Sequence, residues 1–264
     1  MTHSLNTFLL GIIEGITEFL PVSSTGHLLI AEQFLGARSD LFNVAIQAGA
    51  ILALVLIYQR RLTDLLMRFQ QPANRDYLAK LTLAVGITLV GGFVATRRGF
   101  KLPETVIPVA IALLVGGVAI LLIELYVARK PVSDQVSWKV AWWVGLLQLV
   151  AGLVPGTSRS AATIFAGMLA GLTFRPAATE FAFIVGIPTM FAATGYLLLK
   201  SRGDAATEDW SALGLGFLVS GVVAFIAVQW LLRYIQSHRF TIFAWYRIVL
   251  GAALLVLASQ GIVH

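Results

Sequence analysis

The chain has 264 residues, of which 58% are hydrophobic and only 12% charged, and its mean hydropathy is +0.85. This composition excludes an ordinary soluble domain and predicts a polytopic membrane protein. The net charge of +6 does not indicate nucleic-acid binding, because the basic residues stand mainly between apolar segments, as membrane orientation requires. The lack of cysteine excludes disulfides, thiolate metal sites and a cysteine nucleophile.

The first predicted element is a broken apolar helix over about 7–36. About a dozen apolar residues precede a break at Pro21, and a second short helix follows over about 24–36. Neither half can cross roughly 30 Å of hydrocarbon, so we predict a re-entrant hairpin that enters and leaves on one side. The alternative is a pair of thin, tilted full spans.

Three full spans follow, then a second broken helix over about 138–172 and three more spans. Stretches of roughly 20 apolar residues predict these spans, which lie near 40–59, 78–96, 105–127, 177–199, 211–232 and 243–262. The second broken helix has its break at Pro155 and a short helix over about 158–171. The expected fold is an all-α polytopic membrane protein with six transmembrane helices and two re-entrant helix hairpins.

The chain repeats itself within one membrane domain, 1–264, with halves of approximately 1–130 and 131–264. At an offset of 134, the matching residues are Gly11 and Gly145, Pro21 and Pro155, and Ser24 and Ser158. Because each half contains three spans, the second half enters the membrane from the opposite side, which predicts an inverted-topology repeat. The two hairpins then approach from opposite faces and can meet near the midplane.

The charges of the loops predict the orientation. Leaving out Arg159, eleven Lys and Arg residues fall on the side of 60–80, 129–175 and 233–239, and six fall on the other side. The richer side is expected in the cytoplasm. Both termini and the mouth of the first hairpin then lie on the outer side.

The first hairpin carries two acidic residues. Glu14 and Glu18 are four residues apart and share one helix face, with Thr17 on its flank. Charged groups persist in hydrocarbon mainly where they serve a function, and two carboxylates form half of an oxygen-ligand site for Mg²⁺ or Ca²⁺. The alternative is that both glutamates are protonated or paired structural groups.

Hydroxyl groups and a histidine follow the break at Pro21. Ser23, Ser24 or Thr25 can cap the next helix, whose free N–H groups can hold an anion. Ser24 is also a candidate nucleophile, and His27 is close enough along one turn to act as its base. Simple capping, and direct attack by water with His27 as base, remain alternatives.

The second hairpin carries a cation instead. Arg159, within Pro155-Gly-Thr-Ser-Arg-Ser160, offers a planar fork of donors suited to phosphate. The alternative is an arginine that extends towards the membrane surface. Gln47 shares a face with Asn43 and can complete a metal or phosphate shell, although interhelical hydrogen bonding is the more common role.

Two further charged residues lie in the second half. Glu180 is expected to pair with a cation at a helix start, for which Arg175 is the candidate. Arg247 lies just inside the last span, where its side chain can extend towards the membrane surface.

The segments Glu14-Gly-Ile-Thr-Glu-Phe-Leu-Pro-Val-Ser-Ser-Thr-Gly-His27 and Pro155-Gly-Thr-Ser-Arg-Ser160 resemble the two signature motifs of the undecaprenyl-pyrophosphate phosphatases of the bacitracin-resistance protein type. The resemblance implies a bacterial inner-membrane enzyme that removes one phosphate from a C55 isoprenoid pyrophosphate and so recycles the lipid carrier for cell-wall synthesis. It also implies that Glu14 and Glu18 serve the divalent cation. Ser158, Arg159 and Thr163 would serve phosphate, and either the serine at 24 or the histidine at 27 would attack.

The residues and the resemblance together predict a membrane phosphatase, with the active site open to the periplasmic side. Its catalytic residues would be Ser24, His27, Glu18 and Arg159, with Glu14 and Glu18 as metal ligands. The expected substrate contacts are Ser23, Thr25, Gln47, Ser158, Ser160 and Thr163. A lipid-carrier flippase or ion-coupled transporter is the competing class, because inverted repeats and broken helices are typical of transporters. The sequence leaves the oligomeric state open, a homodimer included.

Overall fold

The computed structural model describes residues 2–99, 105–200 and 209–263. In these ranges the chain forms ten α-helices and no strand. The helices are α1 Thr2–Thr17, α2 Ser24–Leu35, α3 Asp40–Met67, α4 Pro72–Arg97, α5 Val106–Val127, α6 Trp138–Leu153, α7 Arg159–Leu169, α8 Arg175–Lys200, α9 Trp210–Tyr234 and α10 Thr241–Ser259. Lys101 and Arg202, which enter the loop-charge prediction, lie outside the described residues.

The prediction of six spans is confirmed. In the described part of the chain, six helices are long and apolar enough to cross a membrane, namely α3, α4, α5, α8, α9 and α10. The main difference is that α3 runs to Met67 and not to residue 59. The helix continues because neither glycine nor proline interrupts the sequence between Ile51 and the proline at position 72.

The four short helices form two hairpins. In each hairpin, the chain at the start of the first helix lies close to the chain at the end of the second helix. In the first hairpin, the side-chain amide of Asn6 donates a hydrogen bond of 2.7 Å to the carbonyl of Leu35. In the second, Thr173 Oγ1 donates to the carbonyl of Pro131 at 2.7 Å. The N–H of Phe174 donates to the carbonyl of Ser133 at 2.8 Å. These contacts are compatible with a re-entrant path, and the inverted topology remains a prediction.

Close helix packing brings the hairpins into the bundle. Helix α1 packs against α9, and α6 packs against α4, while the most extensive contacts join α3 to α9 and α5 to α10. A Cβ atom on Gly15 would lie 2.7 Å from the carbonyl of Ser220, and one on Gly145 would lie 2.6 Å from that of Ala84. Glycine is therefore required where each hairpin crosses its neighbouring span.

The predicted pairing of Glu180 with Arg175 is wrong. Arg175 Nε donates instead to Glu124 Oε1 at 2.9 Å, because the start of α8 lies beside the end of α5. Glu180 forms an ion pair of 3.3 Å with Arg61 of α3. Sequence proximity suggested one pair, whereas the bundle forms two pairs between helices distant in the chain.

Candidate active site

The second helix of each hairpin begins in the same way. Ser23 and Ser158 are the N-caps of α2 and α7, with φ of 77° and 68°. In the described ranges they are the two non-glycine residues with positive φ. Each hydroxyl accepts a hydrogen bond from the N–H three residues on, Gly26 at 3.4 Å and Ala161 at 3.3 Å. Such strained backbone is typical of functional sites.

This geometry corrects the alignment of the two halves. The cap serines correspond at an offset of 135, because two residues lie between Pro155 and Ser158 and only one lies between Pro21 and Ser23. The structural counterpart of Ser158 is therefore Ser23, and not Ser24. Ser24 corresponds instead to Arg159, and each is the first residue of its helix.

Ser24 and Arg159 meet at the carboxylate of Glu18. The Ser24 hydroxyl donates a hydrogen bond to Glu18 Oε2, and Arg159 Nη2 donates to Glu18 Oε1. Glu18 is almost fully buried, whereas the Arg159 side chain keeps about a quarter of its surface exposed. The two hairpins thus supply one polar cluster, in which an acid holds a hydroxyl on one side and a cation on the other.

Glu14 lies behind this cluster. It is buried, and its carboxyl group interacts with that of Glu18 one turn later. One of its oxygens, Oε2, has no hydrogen-bond partner. An unpaired buried oxygen of this kind is costly and indicates a missing donor or ion.

His27, three residues after Ser24, is held by two contacts outside this cluster. Its Nδ1 lies 2.7 Å from the carbonyl of Ser23 and its Nε2 lies 2.6 Å from the hydroxyl of Tyr246. Because a carbonyl only accepts, Nδ1 carries the hydrogen, and Nε2 of the neutral ring accepts from Tyr246. The rings of His27 and Tyr246 are also stacked, with centroids 5.6 Å apart. The Ser24 hydroxyl hydrogen is directed to Glu18 and not to His27.

A cavity of about 260 Å³ opens beside the cluster. Seven of the predicted site residues line it: Glu18, Ser23, Ser24, Thr25, Gln47, Ser158 and Arg159. The N-termini of α2 and α7 both reach this cavity through their cap serines. Helix N-termini carry partial positive charge and free N–H groups, so the cavity is suited to an anion.

Four predicted residues lie outside the wall of this cavity: Glu14, His27, Ser160 and Thr163. The Ser160 hydroxyl donates to the carbonyl of Leu20 at 3.0 Å and so joins the two hairpins. The Thr163 hydroxyl donates to the carbonyl of Arg159 at 2.8 Å. In this structure both hydroxyls hold the backbone around the site, and their roles toward substrate stay predictions.

Sequence reasoning missed four polar residues in the cavity wall, Thr88, Gln148, Thr157 and Thr189. The side-chain amide of Gln148 donates to the hydroxyl of Thr189, while its carbonyl oxygen is buried without a partner. The signal for Gln148 was present, because it occupies the position of Glu14 in the second half. Thr88 and Thr189 lie in ordinary spans and carry no such signal.

Arg247 joins the two hairpin breaks from behind. It is fully buried, which contradicts a side chain extended towards the membrane surface. Its guanidinium donates to the carbonyls of Pro21 at 3.3 Å and of Gly156 and Thr157, both at 3.2 Å. It also donates to α5, at the carbonyls of Ala112 (3.0 Å) and Leu113 (3.5 Å). A Cβ on Gly116 would collide with this guanidinium, so the glycine leaves the space that the arginine fills.

The residues fit a hard divalent cation in their chemistry. Glu14 and Glu18 provide neighbouring carboxylates. Glu14 Oε2 is a buried oxygen without a hydrogen-bond partner, and such an oxygen can serve as a metal ligand. In the described part of the chain no group of three or more His, Asp or Glu side chains could hold a metal. An ion here would therefore take its other ligands from water and from a phosphate, as Mg²⁺ commonly does.

Similarity to known proteins shows the family of this chain. The family model for the bacitracin resistance protein BacA matches residues 7–253. The chain belongs to the BacA family. An undecaprenyl-diphosphatase of Rhizobium etli (strain CIAT 652) is 59% identical over 261 residues, covering 98% of each chain. One from Xanthomonas euvesicatoria pv. vesicatoria (strain 85-10) is 54% identical over 258 residues, covering 97% of each.

The BacA match includes the three residues of the cluster, and Glu14 and Arg247 as well. The family predicted from the two hairpin motifs is thereby confirmed. The similarity to the two relatives extends over nearly the whole chain, so it covers the bundle as well as the hairpins.

Proposed function

We propose that this protein is an integral-membrane phosphatase that hydrolyses undecaprenyl pyrophosphate to undecaprenyl phosphate and inorganic phosphate. The activity recycles the lipid carrier for cell-wall synthesis and confers bacitracin resistance. The proposal draws on the names of relatives that match nearly the full length of the chain. The observation that carries it is the Ser24–Glu18–Arg159 cluster at the meeting point of two helix N-termini.

The pyrophosphate would bind in the cavity beside this cluster. Arg159 and the N-terminal turns of α2 and α7 provide positive charge, and Ser158, Thr25 and Gln47 provide polar contacts in the wall. The partly exposed guanidinium of Arg159 can reach a phosphate while it stays bonded to Glu18. The charge of the substrate is thus offset where the membrane would otherwise make it most costly.

Ser24 would attack the terminal phosphorus. Its hydroxyl proton passes to Glu18 Oε2, an Oγ–P bond forms, and the bond from phosphorus to the bridging oxygen breaks, which releases undecaprenyl phosphate. Glu18 passes this proton to the departing undecaprenyl phosphate and is free to act again. Water then attacks the phosphoserine and gives up a proton to Glu18, the bond between phosphorus and Oγ breaks to release inorganic phosphate, and Glu18 returns the proton to the serine oxygen. This scheme assigns the role of base to Glu18 because the hydrogen bond of Ser24 ends there.

His27 supports two other schemes, attack by its own imidazole or activation of a water molecule. Its Nε2 is the ring nitrogen that carries the lone pair, and the hydroxyl of Tyr246 occupies that lone pair. Either scheme therefore requires that the Tyr246 hydrogen bond breaks first. We favour the serine scheme, in which the pair formed by His27 and Tyr246 holds the start of α2.

A divalent cation, Mg²⁺ or Ca²⁺, belongs to the proposal. Glu14 and Glu18 would hold it, and it would neutralise charge on the phosphates when bound. Glu14 Oε2 is the oxygen best suited to bind the cation, because both oxygens of Glu18 already accept hydrogen bonds, from Ser24 and from Arg159.

We place the protein in the bacterial inner membrane with the site open to the periplasm. The loop charges support this orientation, because the predicted topology puts the basic loops at 60–80 and 233–239 on the side away from the mouth of the first hairpin. A homodimer is a separate proposal, tested by the mass of the protein in detergent or nanodiscs.

One assay separates this function from the competing class of transporter or flippase, which the paired broken helices also suit. Purified protein in detergent is given undecaprenyl pyrophosphate and Mg²⁺ or Ca²⁺, and released phosphate is measured. A phosphatase releases phosphate without any membrane, whereas transport alone releases none. Absence of phosphate release by folded protein with either ion would reject the proposal.

A further inference from the structure

A second, larger cavity lies on the far side of the second hairpin. It is an apolar groove of about 930 Å³ between α5 on one side and α6 and α7 on the other. Its wall is aliphatic and aromatic apart from Lys139 and Thr157. We call it the α5–α7 groove. Its volume lies at the upper end of the roughly 300–1,000 Å³ of pockets that bind small molecules.

The groove is long and has a floor of small side chains. Along α5 it extends from Pro108 to Ile123, which corresponds to about 22 Å of helix. This length covers most of the roughly 30 Å of hydrocarbon. Ala112 and Ala119 of α5 and Ala162 of α7 are small residues of its wall, which leaves room for a narrow chain between the helices.

One end of the groove adjoins the phosphate cavity. Thr157 lines both, and it belongs to the break of the second hairpin. At the same end, Arg247 donates hydrogen bonds to the carbonyls of Thr157 at 3.2 Å and of Ala112 at 3.0 Å. A phosphate held in the cavity and an apolar chain held in the groove would therefore both lie against Thr157.

We propose that the α5–α7 groove binds the prenyl tail of the lipid pyrophosphate, with the first prenyl units next to Thr157. This inference rests on the phosphatase function proposed above. A tail leaving bulk lipid gains little from the hydrophobic effect, so its binding depends on close packing in the groove. The groove then fixes the direction in which the tail leaves the pyrophosphate, and a long tail contributes contacts that a short one lacks.

The first test narrows the groove far from the phosphates. Ala119 is seven residues, or about 10 Å, beyond Ala112, and Ala170 is eleven residues, or about 16 Å, beyond Arg159. In the double variant Ala119→Leu/Ala170→Leu, we expect kcat/KM for undecaprenyl pyrophosphate to fall about tenfold, the size typical of steric mismatch in an apolar pocket. The value for farnesyl pyrophosphate, with its short tail, should change less than about twofold.

The matched control is Ala252→Leu/Ala253→Leu, two exposed positions of α10 outside the groove wall. It should leave both substrates unaffected. Unchanged turnover of farnesyl pyrophosphate shows that the groove variant is folded. An equal loss for both substrates, or no loss for either, would overturn the proposal, and the latter is expected if bilayer acyl chains fill the groove.

A binding measurement tests the groove independently of catalysis. Trp143 lies in the groove wall and Trp245 lies on α10 outside it. A long-chain prenyl pyrophosphate with a nitroxide in its tail should quench tryptophan fluorescence, and most of the quenching should disappear in Trp143→Phe but not in Trp245→Phe. Equal quenching in the two variants would reject the groove. Quenching through Trp143 without phosphate release would reject the phosphatase function alone.

Discussion

The α1–α2 and α6–α7 hairpins share a backbone and differ in the side chains placed on it. Both contain a break after a 16-residue first helix, and both restart at a cap serine with positive φ, Ser23 or Ser158. The next residue is a hydroxyl in the first hairpin, Ser24, and a cation in the second, Arg159. One turn before the break, the acid Glu14 has the neutral Gln148 as its counterpart.

This difference shows why a single chain needs both hairpins. The backbone supplies what any phosphate site needs, namely two helix N-termini directed at one cavity. Two acidic hairpins would repel each other in the low dielectric of the membrane, whereas the charges of an acidic and a basic hairpin offset each other. Glu18 of the acidic hairpin is bonded to Arg159 of the basic one, and Arg247 of α10 adds a second cation beside both hairpin breaks.

The largest expected effect is that of replacing Ser24, the residue whose counterpart in the second hairpin is Arg159. Ser24→Ala should lower kcat by at least about 10³-fold, because it removes the attacking oxygen, while His27→Ala should keep slow turnover. Phosphate release in detergent gives both values. The control is Ser259→Ala, which removes a hydroxyl bonded only to the local carbonyl of Val256.

The opposite order of severity would favour histidine as the nucleophile. Trapping an acid-labile phosphohistidine at His27 would overturn the serine scheme. A phosphoserine at Ser24 after rapid quench would support it.

The contact between the hairpins gives the next effect. Glu18→Gln should lower kcat/KM about 10²-fold, as for loss of a general base, and Arg159→Lys about tenfold, as for loss of a charged hydrogen bond. Because the two side chains are bonded, the double variant should lose less than the product of the two factors. Independent, multiplicative losses would show that the pair does not act as a unit.

The matched controls are Glu180→Gln and Arg61→Lys, which alter an ion pair between α3 and α8 outside the catalytic cavity. Each should change kcat/KM by less than about twofold, as exposed pairs contribute little.

The common backbone of the hairpins predicts a smaller effect on stability. Substitution of Ser23 or Ser158 by alanine removes the capping hydrogen bond, which costs about 1 kcal/mol of stability, and leaves an alanine at a strained positive φ. Substitution by glycine also removes the hydrogen bond, but glycine adopts a positive φ without strain. Thermal unfolding followed by circular dichroism should therefore give a higher Tm for Ser→Gly than for Ser→Ala in both hairpins. Ser137, the cap of α6 with φ of −93°, is the control, and there the difference should be smaller. A difference as large at Ser137 would show that backbone strain is not the cause.

The sequence was sufficient for the parts of the molecule that depend on local pattern. Long apolar runs located the six spans, and Pro21 and Pro155 located the two breaks. Glu18 and Arg159 were identified because charges inside apolar segments are costly, and the structure brings them together. Each of these signals lies within a stretch of about 20 residues.

Contacts between distant segments could not be predicted in this way. The match of Ser23 with Ser158 depends on one extra residue after Pro155, which changes the register without changing the motif. Arg247 looked like an arginine at a span end, and only the packing of α10 against α5 shows that it binds both hairpin breaks. The pairing of Glu180 with Arg61 likewise depends on how α3 meets α8.

The smallest expected effect concerns a contact that supports the first hairpin. The hydroxyl of Tyr246 donates to His27 Nε2, and its ring stacks on the imidazole. Tyr246→Phe keeps the stacking and removes one hydrogen bond, so kcat should fall about two- to tenfold. If Tyr246 acts through His27, the same substitution should have no further effect in a His27→Ala background. Tyr196→Phe, at an exposed position of α8, is the control and should leave kcat unchanged. An equal loss from Tyr246→Phe with and without His27 would show that the tyrosine acts elsewhere, whereas a gain in kcat would indicate that its hydrogen bond holds back an imidazole that takes part in the reaction.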